Sequence, residues 1–142
     1  MKTKNICLAL SLLLMMVANA QQQRFDITSY TPPKNWSTQK SAKSVQFTKK
    51  DEKAGTYAII TLMQAVPGTD NGKENFDAAW ESVVQEMVKV EGKPQMQAPV
   101  TDNGWEAQSG YAAFSAEGLN GIALLVTTSG FGKMVNILVL TN

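Results

Sequence analysis

The sequence predicts an α+β domain: an antiparallel β-sheet of about six to seven strands with one main helix packed on it. Three observations lead to this class. Residues 74–91 alone have the apolar spacing of an amphipathic helix. Runs of alternating apolar residues, separated by Gly, Pro and Asn, predict strands before and after it. Four or five of these strands follow the helix in succession, which favours an antiparallel meander over alternating βα units.

Residues 1–20 predict a secretory signal peptide. A basic start precedes an apolar run, residues 6–17, which is shorter than the roughly 20 apolar residues of a membrane-spanning helix. Small residues stand at the −3 and −1 positions, so we expect cleavage between Ala20 and Gln21; an uncleaved anchor is the alternative. The mature chain is then a single α+β domain of residues 21–142, exported to the periplasm or the extracellular space, without stable membrane insertion.

The composition excludes several kinds of chemistry. The sequence has 13 Lys and Arg, 12 Asp and Glu, and no His. Lys2, Lys4 and the only cysteine, Cys7, leave with the signal peptide, so 11 basic residues face 12 acidic ones and the mature net charge is −1. A chain without His or Cys has no imidazole base, thiolate nucleophile, disulfide or ordinary zinc site. A near-neutral charge attracts no nucleic acid. We therefore expect no cofactor, no metal and no nucleic-acid partner.

The mature chain begins with a predicted strand and a corner. Residues 24–31 alternate as a strand, and Pro32 and Pro33 end it because proline cannot donate to a ladder. Trp36 follows this corner, and we expect it to fold back over the sheet. Residues 37–44 are polar and predict a loop.

A β-hairpin is predicted next. Residues 45–48 alternate as a short strand, and the charged turn that follows contains Gly55. Residues 56–64 are apolar on both faces, which is typical of a central strand covered on both sides.

The predicted helix has one apolar stripe and recognisable ends. Asn71 is its predicted N-cap, with Asn75 as an alternative, and Gly92 ends it. Its apolar residues have the i, i+4, i+7, i+8, i+11 spacing of one helix face: Phe76, Trp80, Val83, Val84 and Met87.

The predicted meander follows the helix. Asn103-Gly104 is a strong signal for a tight hairpin turn. Ser129-Gly130-Phe131-Gly132-Lys133 superficially resembles a phosphate-binding loop, but it joins strand to strand, and a hairpin turn is the favoured interpretation. The predicted strands are residues 95–100, 105–116, 122–128 and 134–141.

The sheet is predicted to lack cover on one face. Three strands, residues 56–64, 122–128 and 134–141, are apolar on both faces, whereas one helix covers one face. Each large aliphatic side chain left in water forgoes about 1.5–3 kcal/mol. We expect the missing cover to come from the loop at residues 31–44, from a partner subunit, or from a C-terminal segment that a truncated chain would lack.

The order of these features resembles the Mog1/PsbP/DcrB-like group, and more narrowly small uncharacterised exported bacterial proteins of this type. The residues that carry the resemblance are Pro33-Lys34-Asn35-Trp36 after the first strand, then a hairpin, a helix, and a meander strand that begins Asp-Asn-Gly-Trp. Members usually have a further C-terminal helix, which this sequence lacks. The resemblance implies binding or assembly roles and supplies no catalytic centre.

The leading functional hypothesis is therefore an exported, non-catalytic binding or assembly domain of the bacterial cell envelope. Its partner is an envelope protein or a second copy, bound through the undercovered sheet face. An alternative is a binder of a small apolar or carbohydrate ligand, with Trp36, Trp105 and Tyr111 as contact residues.

A second alternative is a carboxylate-dependent hydrolase, because paired carboxylates act without His or Cys. Asp102 and Glu106 are its first candidates, followed by Glu117 and Asp26. The sequence pairs none of them, so an enzyme is not our expectation.

Overall fold

The computed structural model describes residues 22–116 and 118–142. One short helix, α1, spans Gly72–Ala79 and continues as a π-helical turn over Trp80–Gln85. The strands are β1 (Gln23–Phe25), β2 (Thr28–Tyr30), β3 (Ser37–Lys40), β4 (Ser44–Asp51), β5 (Thr56–Met63), β6 (Val66–Pro67), β7 (Lys89–Val90), β8 (Gln95–Met96), β9 (Val100–Asp102), β10 (Trp105–Ala116), β11 (Leu119–Gly130) and β12 (Lys133–Thr141).

Ten of these strands form one antiparallel sheet. Its main order is β3-β4-β5-β12-β11-β10-β7, while β6 pairs with β12, and β8 and β9 pair with β10. The strands β1 and β2 pair only with each other and form a separate hairpin. The long strands β10, β11 and β12 are consecutive in the chain and adjacent in the sheet.

The predicted α+β class, with six to seven strands and one main helix, is wrong. The described part of the chain is mostly β, with 56% of its residues in strands and 13% in helix, and its larger sheet has ten strands. Three strands were missed, β3, β6 and β7; they are two to four residues long, and most of their residues are exposed. Such strands carry no apolar alternation, so only their pairing with longer neighbours reveals them. The predicted strand at residues 95–100 is interrupted, so that β8 and the start of β9 fall within it.

The N-terminal predictions also need correction. The predicted strand at residues 24–31 is the hairpin of β1 and β2, which turns at Asp26 and Ile27. Asp26 has φ 52°, a left-handed conformation that Asp tolerates better than most residues. The predicted loop at residues 37–44 contains the edge strand β3, whose four residues are all exposed.

Two hairpin turns predicted in the meander are confirmed. β9 and β10 are joined by Asn103 and Gly104, with φ 49° and 81°. β11 and β12 are joined by Phe131 and Gly132, with φ 53° and 72°. Positive φ at both central residues is the type I′ geometry that matches the twist of paired strands. The Gly-rich segment is therefore a strand-to-strand turn.

The helix begins where predicted but changes its winding. The N-cap at Asn71 is confirmed, since its side chain accepts hydrogen bonds from the amides of Lys73 and Glu74. The helix ends earlier than residue 91, because Lys89 and Val90 pair with β10.

The π-helical turn explains which residues face the sheet. Phe76, Trp80, Val84 and Val88 are buried at four-residue intervals. On a helix of 3.6 residues per turn, each four-residue step rotates about 40° past a full turn, and the π-helical turn, which has more residues per turn, offsets this drift and returns Val88 to the face of Phe76. The predicted inward position of Met87 is wrong: Met87 is 53% exposed, and Val88 is 8% exposed in its place.

This register predicts a difference between two neighbouring residues. Val88→Ala is expected to lower the free energy of unfolding by about 1–2 kcal/mol, because it removes buried methyl groups. Met87→Ala is expected to change it by less than about 0.5 kcal/mol, as for most exposed positions. Urea unfolding followed by circular dichroism measures both. A larger loss for Met87→Ala would contradict the π-helical register.

Candidate functional site

The strand register divides the sheet into an inner face and an outer face. Cross-strand partners lie on the same face, and α1 packs over β10 and β11 on the inner face. The buried inner-face residues are Ala112, Phe114, Ala123, Leu125, Leu138 and Leu140. This face therefore carries the main core.

The outer face carries a row of aliphatic side chains that we call the outer patch. It consists of Ile60, Ile122, Leu124, Val126, Ile137 and Val139. Ile122 is 40% exposed, and the other five side chains are half-buried. The register places Leu124 between Tyr111 and Val139, near the middle of the sheet. Within the described part of the chain, this patch has no helix over it.

The N-terminal hairpin contacts the other end of the outer face. The Tyr30 ring meets the Phe47 ring edge-on, with centroids 5.6 Å apart. Asp26 Oδ2 accepts a hydrogen bond of 2.9 Å from the Ala65 amide. The outer-face residues that are buried there are Val45, Phe47, Leu62 and Val135. The hairpin therefore covers part of the face and leaves the outer patch open.

A second candidate site, the inner pocket, lies on the inner face. It has a volume of about 420 Å³. Its apolar walls are Tyr57, Ile59, Val88, Phe114, Ala116 and Leu140, and its mouth is formed by Lys50, Asp51, Glu52, Gly55 and Thr56. The pocket exists because α1 packs over β10 and β11 and ends before it can cover β5.

The mouth of the inner pocket carries a cation, Lys50, and two carboxylates, Asp51 and Glu52. Lys50 and Tyr57 are cross-strand partners, so their Cβ atoms lie about 5 Å apart on the inner face. The Asp51 carboxylate accepts hydrogen bonds from the amides of Lys53 and Ala54 at 3.0 and 3.1 Å. Asp51 therefore holds the turn together, whereas the ammonium group of Lys50 has no ion-pair partner among the described residues.

The opposite end of the inner face is polar, and its side chains hydrogen-bond to one another or to nearby backbone groups. Asn75 is 4% exposed; its Nδ2 donates to the Thr69 carbonyl at 2.8 Å and to Ser129 Oγ at 2.9 Å. Thr127 Oγ1 donates to Asn136 Oδ1 at 2.8 Å. These groups use their hydrogen-bonding capacity on one another, so they fix α1 to β11 and offer little to a ligand.

The three aromatic residues predicted to contact a ligand do not converge. Tyr111 borders the outer patch as the cross-strand partner of Leu124. Trp105 starts the same strand, about 20 Å away at the usual rise per residue, and packs edge-on against Phe131. Trp36 is half-buried and precedes the edge strand β3, five strand spacings or about 24 Å from β10.

The candidate carboxylates do not form one pair either. Asp102 is the partner of Trp105 on the outer face, whereas Glu106 lies on the inner face and accepts a hydrogen bond of 2.7 Å from Gln108 Nε2. Asp26 caps the amide of Ala65. Glu117, like the predicted signal peptide and its cleavage site at Ala20 and Gln21, lies outside the described residues.

Sequence reasoning missed the inner pocket and its residues Lys50 and Ile59. A signal existed, because the predicted hairpin sets Lys50 opposite Tyr57 once the length of its turn is known. The end of the helix over the sheet was not predictable, and it decides whether Ile59 is covered.

No group of three or more potential metal-ligating side chains occurs in residues 22–116 and 118–142. In the same residues, no helix reaches the length and apolar content that crossing a bilayer requires. No family model matches the chain, and no curated protein matches it.

Proposed function

We propose that the mature chain is an exported, non-catalytic binding domain of the bacterial cell envelope that associates through the outer patch. The observation that carries this proposal is the continuous row of aliphatic side chains across β5, β12 and β11, of which Ile122 is 40% exposed and the others are half-buried. Soluble proteins seldom expose a contiguous apolar surface unless it is a binding site. The sequence of residues 1–20 supports export, and the lack of His and of a mature Cys supports a non-catalytic role.

The proposed occupant of the outer patch is a second copy of the chain. Two sheets pack face to face with their aliphatic side chains interdigitated, as in β-sandwiches. Charge favours such a pair, because the outer patch has no charged member and the mature net charge of −1 causes little repulsion between copies. Lys49 and Lys133, both exposed, lie on the same face outside the patch, as expected of a polar rim.

A matched pair of variants tests this proposal. Ile122→Glu is expected to weaken association at least tenfold, because a two-fold axis would bring two carboxylates into one apolar interface. Met87→Glu places the same charge at another exposed apolar residue, on the helix, and is expected to leave association unchanged. Sedimentation velocity of residues 21–142 over a range of concentrations measures both.

The outcomes separate the possible partners. If Ile122→Glu loses self-association and Met87→Glu keeps it, the result supports a second copy of the chain as the partner. A wild-type chain that stays single but is captured by an envelope protein through Ile122 would show that the partner is a different protein. Equal loss in both variants would contradict a role for the outer patch.

A further inference from the structure

We propose that the inner pocket is a second binding site, independent of the outer patch, and that it takes a single-chain amphiphile with a carboxylate head group, the chemistry of a fatty acid. Its apolar walls would hold the chain, and Lys50 with Tyr57 would hold the head group at the mouth. The two sites lie on opposite faces of the sheet, so ligand binding in the pocket leaves the outer patch accessible.

The dimensions of the pocket suit an alkyl chain. Its volume of about 420 Å³ falls in the range of about 300–1,000 Å³ of small-molecule sites. If a methylene group occupies about as much space as a water molecule, roughly 30 Å³, the pocket holds a chain of about ten to fourteen carbons. Val88, Phe114 and Leu140 are buried at the base of the pocket, while Tyr57 and Ile59 are half-buried. A bound ligand would cover the exposed parts of Tyr57 and Ile59.

The placement of Lys50 favours an anionic head group, although Asp51 and Glu52 line the same mouth. Lys50 projects on the inner face beside Tyr57, and its ammonium group has no ion-pair partner in the described residues. Asp51 also lines the mouth, but its carboxylate accepts hydrogen bonds from two amides of the turn. Glu52 and Lys50 are both exposed, so water screens both charges, and the preference for an anion rests on the position of Lys50 beside Tyr57. A carboxylate would therefore meet an ammonium group and a phenol hydroxyl, both of which donate hydrogen bonds.

Calorimetric titration of the mature chain with three ligands of equal chain length tests the head-group preference. Dodecanoate is expected to bind about fivefold more tightly than dodecanol. This factor is the upper end of what a solvent-exposed ion pair contributes to binding. Dodecylammonium is expected to bind more weakly than dodecanol. Tighter binding of dodecylammonium, equal binding of all three, or no binding would overturn the proposal.

Two pairs of variants locate the site. Ala116→Phe fills the pocket and is expected to weaken dodecanoate and dodecanol alike by at least tenfold, whereas Ala113→Phe, on the opposite face of the same strand, is expected to change neither. Lys50→Met is expected to remove only the preference for dodecanoate, and Lys53→Met in the same turn is expected to keep it. If Ala116→Phe does not fold, the comparison of Lys50→Met with Lys53→Met tests the assignment of the site. Equal effects within either pair would overturn the assignment.

Discussion

Phe76→Ala is expected to lower the free energy of unfolding by about 3–5 kcal/mol, the largest loss of any single truncation considered for this chain. Phe76 is fully buried and stacks on Trp80 with ring centroids 5.7 Å apart. Its ring lies over Gly110, where an added Cβ would stand 2.9 Å from Phe76 Cζ. Gly110 has no side chain to fill the space, and of its neighbours Met96 Sδ lies nearest to the added Cβ, at 2.8 Å; an inward shift of Met96 would move the loss toward the lower end of this range.

Urea unfolding measures this loss, with Phe131→Ala as the control. Phe131 is 73% exposed, and its truncation is expected to cost less than about 1 kcal/mol. Because Phe76→Ala removes much of a typical stability of about 5–15 kcal/mol, Phe76→Leu provides a milder variant with an expected loss of about 1–2 kcal/mol. Similar losses for Phe76→Ala and Phe131→Ala would contradict the packing of α1 on β10.

Asn75→Ala is the second large effect, with an expected loss of about 2–4 kcal/mol. The Asn75 side chain accepts from the Thr69 amide at 2.9 Å and donates to the Thr69 carbonyl at 2.8 Å. It also donates to Ser129 Oγ, which is buried in β11. Ser129 is 6% exposed, so truncation leaves its hydroxyl without this partner in a buried site, which costs about 1–3 kcal/mol, and the loss of the two hydrogen bonds to Thr69 adds to that cost.

Asn71→Ala is the matched control for Asn75→Ala. Asn71 is the exposed N-cap of α1, and loss of a cap costs about 1 kcal/mol. Chemical unfolding of the two variants therefore distinguishes the loss of a helix cap from the loss of the hydrogen bonds that Asn75 makes to Thr69 and Ser129. If Asn71→Ala cost as much as Asn75→Ala, the assignment of Asn75 as the anchor between the 69–71 segment and β11 would be wrong.

The sequence predicted the parts of the fold that depend on local chemistry. Asn103-Gly104 specified its turn because both residues tolerate positive φ, and Asn71 specified the helix start through a short polar side chain. β7 and β3 were missed because Lys89-Val90 continues a helical pattern and residues 37–40 are all polar. Pairing with β10 and β4 decides their conformation, and no local signal reports it.

The two candidate sites also differ in how much of each could be predicted from the sequence. The prediction of an undercovered face required only that strands such as 122–128 be apolar on both sides, and the outer patch lies on that face. The inner pocket depends on where the helix ends over the sheet, after the π-helical turn at Trp80–Gln85, and no local pattern specifies that end. The predicted aromatic contacts did not converge, because Trp36 and Trp105 lie on distant strands.

The mass of the mature chain at sedimentation equilibrium tests the central claim most directly. Residues 21–142 are expected to show twice the mass of a single chain at micromolar concentration and to return to the single-chain mass in the Ile122→Glu variant. A single-chain mass for the wild type at every concentration, with no hydrophobic-dye binding and no envelope protein captured through Ile122, would contradict the proposal that the outer patch is a binding surface.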